Sequence, residues 1–301
     1  MRRSMTHLKG NRIMDFEAFT KEITQNNWRV YGAEVYRHGR LLHRWGDCTA
    51  GLHPLYSVTK SVLSLAVGIA EGEGEIDLTR PVTDYLPAAA LARMSEKQRQ
   101  TFAPLTLHRL LTMSAAGFPF RAEGESWLDF SLACPLEAPE MPRFDYSNIP
   151  AYLVGVALTH ALSEDVGSYI EKRLFAPLGI EEYRLARCPE GYFYGASGME
   201  LTVESLCRIG VMLCAGGVYG GQQIVPADYV RRATAVQQMN REGGYGYFFW
   251  KYRNGYSMNG KWKQKCYILP EDGLVIGYLA DIREECPLRQ SMEKHLLGAA
   301  E

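Results

Sequence analysis

From Ser57 to Ala70 the chain reads SVTKSVLSLAVGIA, small or apolar on every side, with one lysine as its single charge. A helix with a polar face lies on a surface, whereas one that is apolar all round has to be surrounded by protein. The segment therefore predicts a buried central helix and a fold large enough to wrap it. At 301 residues the chain can do this, as about two domains or one large one. The apolar run within it, Leu63 to Ala70, falls far short of the roughly 20 residues a membrane span needs. No membrane partner is expected.

The rest of the composition narrows the class. Hydrophobic residues make up 47% and charged residues 22%, the balance of an ordinary folded protein. Lysine and arginine total 33 against 34 acidic residues, a formal charge of −1, so no global excess draws the chain to nucleic acid or anionic lipid. Seven cysteines are scattered without a C-x-x-C pair, which argues against a disulfide framework and against a structural zinc site. Met1 to Met14 is basic but lacks a continuous apolar region and a small-residue cleavage site. It is expected to be a disordered leader over 1–14 on a cytoplasmic protein.

Hydrophobic periodicity predicts a helix over Asp15 to Asn26, then strands Arg29 to Tyr36 and Leu41 to Trp45 around a Gly39 turn. Residues 87–187 are mainly helical in pattern, broken by Pro104, Pro119, a Pro-rich loop from Cys134 to Pro142, and Pro177. A further helix is expected from Gly198 to Gly216. Strands follow at Tyr245 to Tyr252, Tyr256 to Met258, Cys266 to Leu269 and Leu274 to Leu279, with Asn254-Gly255 as a hairpin turn, and Pro287 to Leu297 closes as a helix. Strands at both ends with helices between predict an α/β (α+β) fold: an antiparallel sheet built from 15–86 and 188–301, flanked by helices, with 87–187 inserted as an all-helical lobe.

Within this frame two short motifs carry chemistry. Ser57 and Lys60 stand three apart on one helix face, so the amine can reach the hydroxyl. A serine hydroxyl is a weak nucleophile until a base takes its proton, and a lysine can be that base when burial and a helix N-terminus favour its neutral form. Composition alone gives S-x-x-K roughly half a copy by chance, and a second copy occurs at Ser291 and Lys294. That copy lies in a charged terminal helix and reads as a solvated face, whereas Ser57 opens the buried helix. The second motif is Tyr146-Ser147-Asn148, after the Pro-rich loop, where a phenol can relay a proton and a carboxamide can bind a substrate amide. Its duplicate, Tyr252-Arg253-Asn254, is explained by the hairpin.

An S-x-x-K at a buried helix start followed by Y-x-N resembles the serine β-lactamase and penicillin-binding-protein superfamily, specifically the branch of class C β-lactamases, D-Ala-D-Ala peptidases and esterases. Leu105 to Gly117 is similar to that branch's LT-x-x-x-LLTM-x-SG segment, and Ala196 to Met199 and Tyr245 to Tyr247 resemble later landmarks, so the likeness spans Arg29 to Leu297. The resemblance implies that Ser57 is acylated, Lys60 assists its deprotonation, Tyr146 passes a proton to the leaving group, and Asn148 partners Lys60 and the substrate. It further implies an oxyanion hole from the backbone N–H groups of Ser57 and Lys261, Lys261 continuing the strand after Gly260. No cofactor or metal is called for; the partner is a small ester, amide or peptide-like substrate.

One landmark departs from the branch. Where K-T-G or H-T-G is usual, this chain has Met258-Asn259-Gly260, lacking both the cation and the hydroxyl that engage a β-lactam or peptide carboxylate. Lys261 and Lys263 stand nearby, but alternation turns Lys261 away from Gly260. The expected activity is therefore cleavage of a small ester or amide, with a true β-lactamase or D-Ala-D-Ala carboxypeptidase, or a catalytically silent ligand-binding homologue, as alternatives. Other motifs are set aside. Gly255 to Lys261 resembles a phosphate loop but lies between strands, G-x-S-x-G and H-E-x-x-H are absent, and His108 among leucines reads as structural. Trp127 to Phe130 reads as an aromatic plug of the helical lobe.

Overall fold

Asp15 opens the first helix: its carboxylate accepts the Ala18 N–H, and Phe16, Phe19 and Ile23 bury one face. A computed structural model of the chain describes residues 7–8 and 12–298. After α1 (Phe16–Gln25) come β1 (Val30–Arg37) and β2 (Arg40–Gly46), joined through His38-Gly39. Both loop residues have positive φ (48° and 76°), the backbone that suits a two-residue hairpin between twisted strands. The chain then leaves the sheet through α2 (Val58–Gly72) and passes through helices Ala88–Arg93, Glu96–Phe102, Leu107–Leu111 and Trp127–Leu132 to α3 (Ile149–Leu162). Helices α4 (Val203–Cys214) and α5 (Ala227–Thr234) follow.

The sheet resumes with β3 (Gln238–Asn240), β4 (Gly243–Tyr245), β5 (Trp250–Tyr252), β6 (Gly255–Gly260), β7 (Gln264–Leu269) and β8 (Leu274–Ala280). Its order is β3-β4-β5-β6-β7-β8-β1-β2, antiparallel throughout. The join between chain ends is β8 on β1, with Ile276 opposite Val35 and Tyr278 opposite Ala33. One face packs on α1 and the terminal helix α6 (Leu288–Met292), with Phe19, Ile23, Val35, Ile276 and Leu288 buried between them. The other face carries α4, whose Gly210 lets it sit close: a Cβ there would lie 2.6 Å from Cys266 Sγ. In α2 every residue from Val58 to Ala70 is buried, as its all-round apolar pattern requires.

Several expectations need correction. The helix expected from Gly198 begins at Val203, because Thr202 accepts the Ser205 N–H as its cap; Met199–Leu201 is instead a strand between His53–Pro54 and Arg184–Leu185. Arg184–Leu185 is thus a strand inside the stretch expected to be helical. Tyr245 to Tyr252 is not one strand: Tyr247 N–H donates to Ala233 and Phe248 N–H to Leu111, which takes the backbone out of the ladder between β4 and β5. The later reversal is made by Arg253-Asn254, with Gly255 already paired to Tyr252. Ser291 is buried rather than on a solvated face. The leader expected over 1–14 falls mostly outside the described residues; within it, His7–Leu8 pairs antiparallel with Arg12–Ile13. Among the described residues no helix is long and apolar enough to cross a membrane.

Candidate active site

Five helices among the described residues are started by a capping side chain. Asp15, Ser95, Thr106, Asp165 and Thr202 each accept an N–H of the first turn. Ser57 and Asn148 occupy the same position before α2 and α3, and neither caps. Both side chains turn to Lys60, whose Nζ donates to Ser57 Oγ at 3.1 Å, to Asn148 Oδ1 at 2.7 Å and to Ala196 O at 2.8 Å. The Asn148 amide is fixed from behind, donating from Nδ2 to the Tyr194 hydroxyl at 3.0 Å.

Lys60 is 1% exposed, and burial alone pulls its pKa down to about 7. The N-terminal dipole of α2 also favours the neutral amine. Tyr146 completes the group. Its ring centroid lies 5.1 Å from Lys60 Nζ, its hydroxyl hydrogen-bonds with Ser57, and it packs against Trp250 and Tyr245. Burial pushes the phenol up to about 12; the Ser57 hydrogen bond works against this and Glu242 adds to it. The loop carrying Tyr146 is tied down on both sides. Asp145 N–H donates to Met113 O, Asp145 Oδ2 accepts the Gly117 N–H, and Asn148 N–H donates to Phe120 O.

The third segment reaches the same cleft from β6. Met258 is fully buried in the core, while Asn259 and Gly260 line the cleft beside Ser57. Gly260 is required by a close approach: a Cβ there would lie 2.2 Å from the carbonyl oxygen of Leu55, two residues before Ser57. The strand ends at Gly260. Lys261 does not extend it, as had been expected, but opens a short turn, Lys261–Lys263, in which Trp262 and Lys263 have φ of 59° and 72°. Lys261 nevertheless lines the cleft. Burial lowers the pKa of Lys265, which also lines the cleft, to about 8, with Arg289 and Lys263 adding to the shift and Glu242 opposing it.

Sequence reasoning missed what holds this turn. Gln264, 1% exposed, donates from Nε2 to the carbonyls of Lys261, Trp262 and Ala280 and accepts the Ala280 N–H on Oε1. Trp262 meets the edge of Tyr56 at 4.8 Å, and Tyr56, immediately before Ser57, is itself at φ 48°. Two strained residues, one beside Ser57 and one beside Lys261, thus lean on each other. A glutamine at the head of a strand that is apolar from Cys266 to Leu269 was the signal that could have found the clamp.

The walls enclose about 760 Å³. His108 packs edge-on against Tyr247 and does not line the cleft; Trp127 packs edge-on against Tyr152 and Tyr194. Among the described residues, no three His, Cys, Asp or Glu side chains are grouped to hold a metal ion.

Known proteins share this arrangement of elements. The chain is 23% identical over 247 residues to a 6-aminohexanoate-dimer hydrolase from Paenarthrobacter ureafaciens, covering 74% of this chain and 60% of that one. It thus spans about 60% of the length of this curated relative. A class C beta-lactamase from Rhodobacter sphaeroides superposes with a TM-score of 0.72 at 17% identity, covering 94% of this chain and 97% of that one. A penicillin-binding protein homologue from Caulobacter crescentus gives 0.72 at 15% identity, over 93% and 95%. The family model described as Beta-lactamase matches residues 21–301, and the chain belongs to that family.

Proposed function

We propose that this chain is a serine hydrolase that cleaves a small ester or amide through an acyl-enzyme on Ser57. The observation that carries this reading is the amine of Lys60, buried between Ser57 Oγ and two oxygens that can only accept, Asn148 Oδ1 and Ala196 O. A neutral amine gives its two N–H groups to those oxygens and keeps its lone pair for the serine proton. As Ser57 Oγ bonds to the substrate carbonyl carbon, its proton passes to Lys60, and the oxyanion is held by the N–H groups of Ser57 and Lys261, typically worth ~3 kcal/mol each. Tyr146 stays protonated, so it can hand its proton to the departing alcohol or amine and be resupplied from Lys60. Water attacks the acyl-enzyme in the second half, with Lys60 and Tyr146 working in reverse, and leaves the acid and free Ser57.

Asn259 offers an oxygen, buried and unpartnered in the protein, to a substrate N–H in the cleft. The absent cation and hydroxyl of the third segment weigh against a β-lactamase proper, and the relative named for the 6-aminohexanoate dimer weighs towards a linear amide. The helical stretch 87–187 serves as the lobe that closes the cleft over the sheet part, 15–86 with 188–301. All seven cysteines are free, which suits a reducing, cytoplasmic location. A fluorophosphonate should add one label to the wild type and none to Ser57→Ala, read by intact mass. Equal labelling of both sinks the reading; brisk turnover of a chromogenic cephalosporin would favour the β-lactamase instead.

A further inference from the structure

Large apolar side chains exposed to water are sparse on this molecule, and two of them share one rim. Among the described residues these are Leu41, Phe120, Met141, Val236 and Met239, of which Phe120 and Met239 line the cleft that contains Ser57. They are 62% and 69% exposed. They come from separate parts of the chain. Phe120 sits in the loop after the Leu107–Leu111 helix, where its carbonyl accepts the Asn148 N–H, so the residue is anchored directly on the Tyr146–Asn148 segment. Met239 lies on the outermost strand β3, opposite Gly244. Phe144 and Trp250 line the same cleft, and their rings meet each other and Tyr245. Phe120, Phe144, Tyr146, Met239 and Trp250 thus give the cleft an apolar strip among its charged lining residues.

We propose that this strip binds an unbranched alkyl chain on the leaving group, so that the substrate is an ester or amide of a medium-chain alcohol or amine. The assignment to the leaving side rests on the proposed hydrolase reading, in which Tyr146 protonates that group; whatever departs past Tyr146 lies along the wall that Tyr146 belongs to. A methionine and a phenylalanine at the open end suit a flexible chain of variable length.

The test is the rate of hydrolysis of acetate esters of propanol, butanol, pentanol and hexanol, followed by acid release, with methyl esters of the matching acids as the acyl-side series. Burial of successive methylenes predicts that kcat/KM rises about ten-fold from propyl to hexyl acetate in the wild type. In the Phe120→Ala/Met239→Ala double variant the hexyl-to-propyl ratio should fall below about two-fold. A flat alcohol series in an active wild type, a ratio that survives in the double variant, or a gradient confined to the acyl series overturns the proposal and leaves the hydrolase standing. If no ester and no matching acetamide is turned over in a Ser57-dependent way, the hydrolase reading itself falls, and the alkyl site with it.

Discussion

The chain contains the same four-residue pattern twice, and the two copies sit in opposite surroundings. Ser57 and Lys60 open α2; Ser291 and Lys294 lie at the end of α6 and in the π-helical turn that continues it, Glu293–Leu297. Spacing and residue types are identical. In the first copy the lysine is buried and the serine lies on the cleft; in the second the serine is buried and the lysine is exposed. The difference is the surroundings: α2 is wrapped by protein on all sides, whereas the terminal helix lies on the outer face with α1. A motif becomes a catalytic pair when its amine loses water and its hydroxyl keeps access.

The largest effect should separate the two serines. Ser57→Ala is expected to lower kcat by about 10⁴ and to abolish acylation, while Ser291→Ala leaves both as they are. Intact mass after fluorophosphonate treatment and steady-state kinetics read this directly. Labelling that disappears in Ser291→Ala would reverse the comparison.

Next in size is the lysine. Burial lowers the Lys60 pKa to about 7, and the proposed mechanism uses its neutral amine, so kcat/KM should rise with pH through about 7 and level off above it. Tyr146, pushed up to about 12, stays protonated across that range and gives no alkaline fall before it. Lys60→Arg keeps the positive charge but cannot release a proton, so a loss of ~10³ with no recovery at high pH is expected. Tyr146→Phe should cost roughly 10², mainly in kcat and more for poor leaving groups than for p-nitrophenol. A Tyr146→Phe enzyme equally slow on both would remove the phenol from leaving-group protonation.

A subtler effect belongs to Gln264. Replacing it by alanine frees the carbonyls of Lys261 and Trp262 and the Ala280 backbone, which loosens the turn that presents the Lys261 N–H. Each buried group left unpaired costs about 1–3 kcal/mol. Melting temperature should drop, and kcat should fall by about ten-fold with KM little changed, because the oxyanion forms only in the transition state. A variant that loses stability but keeps kcat would make Gln264 a purely structural clamp.

How much of this could be read from the residues follows the same contrast between local and distant causes. The buried α2, the Gly39 hairpin and the joining of the two chain ends were legible because periodicity and turn chemistry act within a few residues. Ser57 with Lys60, and Tyr146 with Asn148, were legible as pairs for the same reason. Their meeting across 88 positions, Lys60 to Asn148, was supplied by resemblance rather than by spacing. The turn at Lys261 was misread because alternation says nothing about where a strand stops, and Gln264 was missed because its three acceptors come from two backbone segments brought together only in the fold. The burial of Ser291 escaped for a related cause: a helix with charged neighbours still has an inner face, and α1 covers it.

The smallest effect tests whether environment, and not sequence pattern, decides. Lys294 is exposed, so its ammonium is already solvated. Lys294→Ala removes one mobile surface charge and adds a good helix former, changes that offset each other to within about 0.5 kcal/mol. Thermal melting should therefore move by no more than about 4 °C, and kcat/KM with its pH profile should overlay the wild type. Set beside the ~10³ loss at Lys60, that null result would show that the same letter three residues after a serine carries catalysis only where the fold strips its water away. A shifted pH profile in Lys294→Ala would mean instead that the outer-face lysine reaches the site electrostatically, and the contrast between the two copies would have to be redrawn around long-range charge rather than burial.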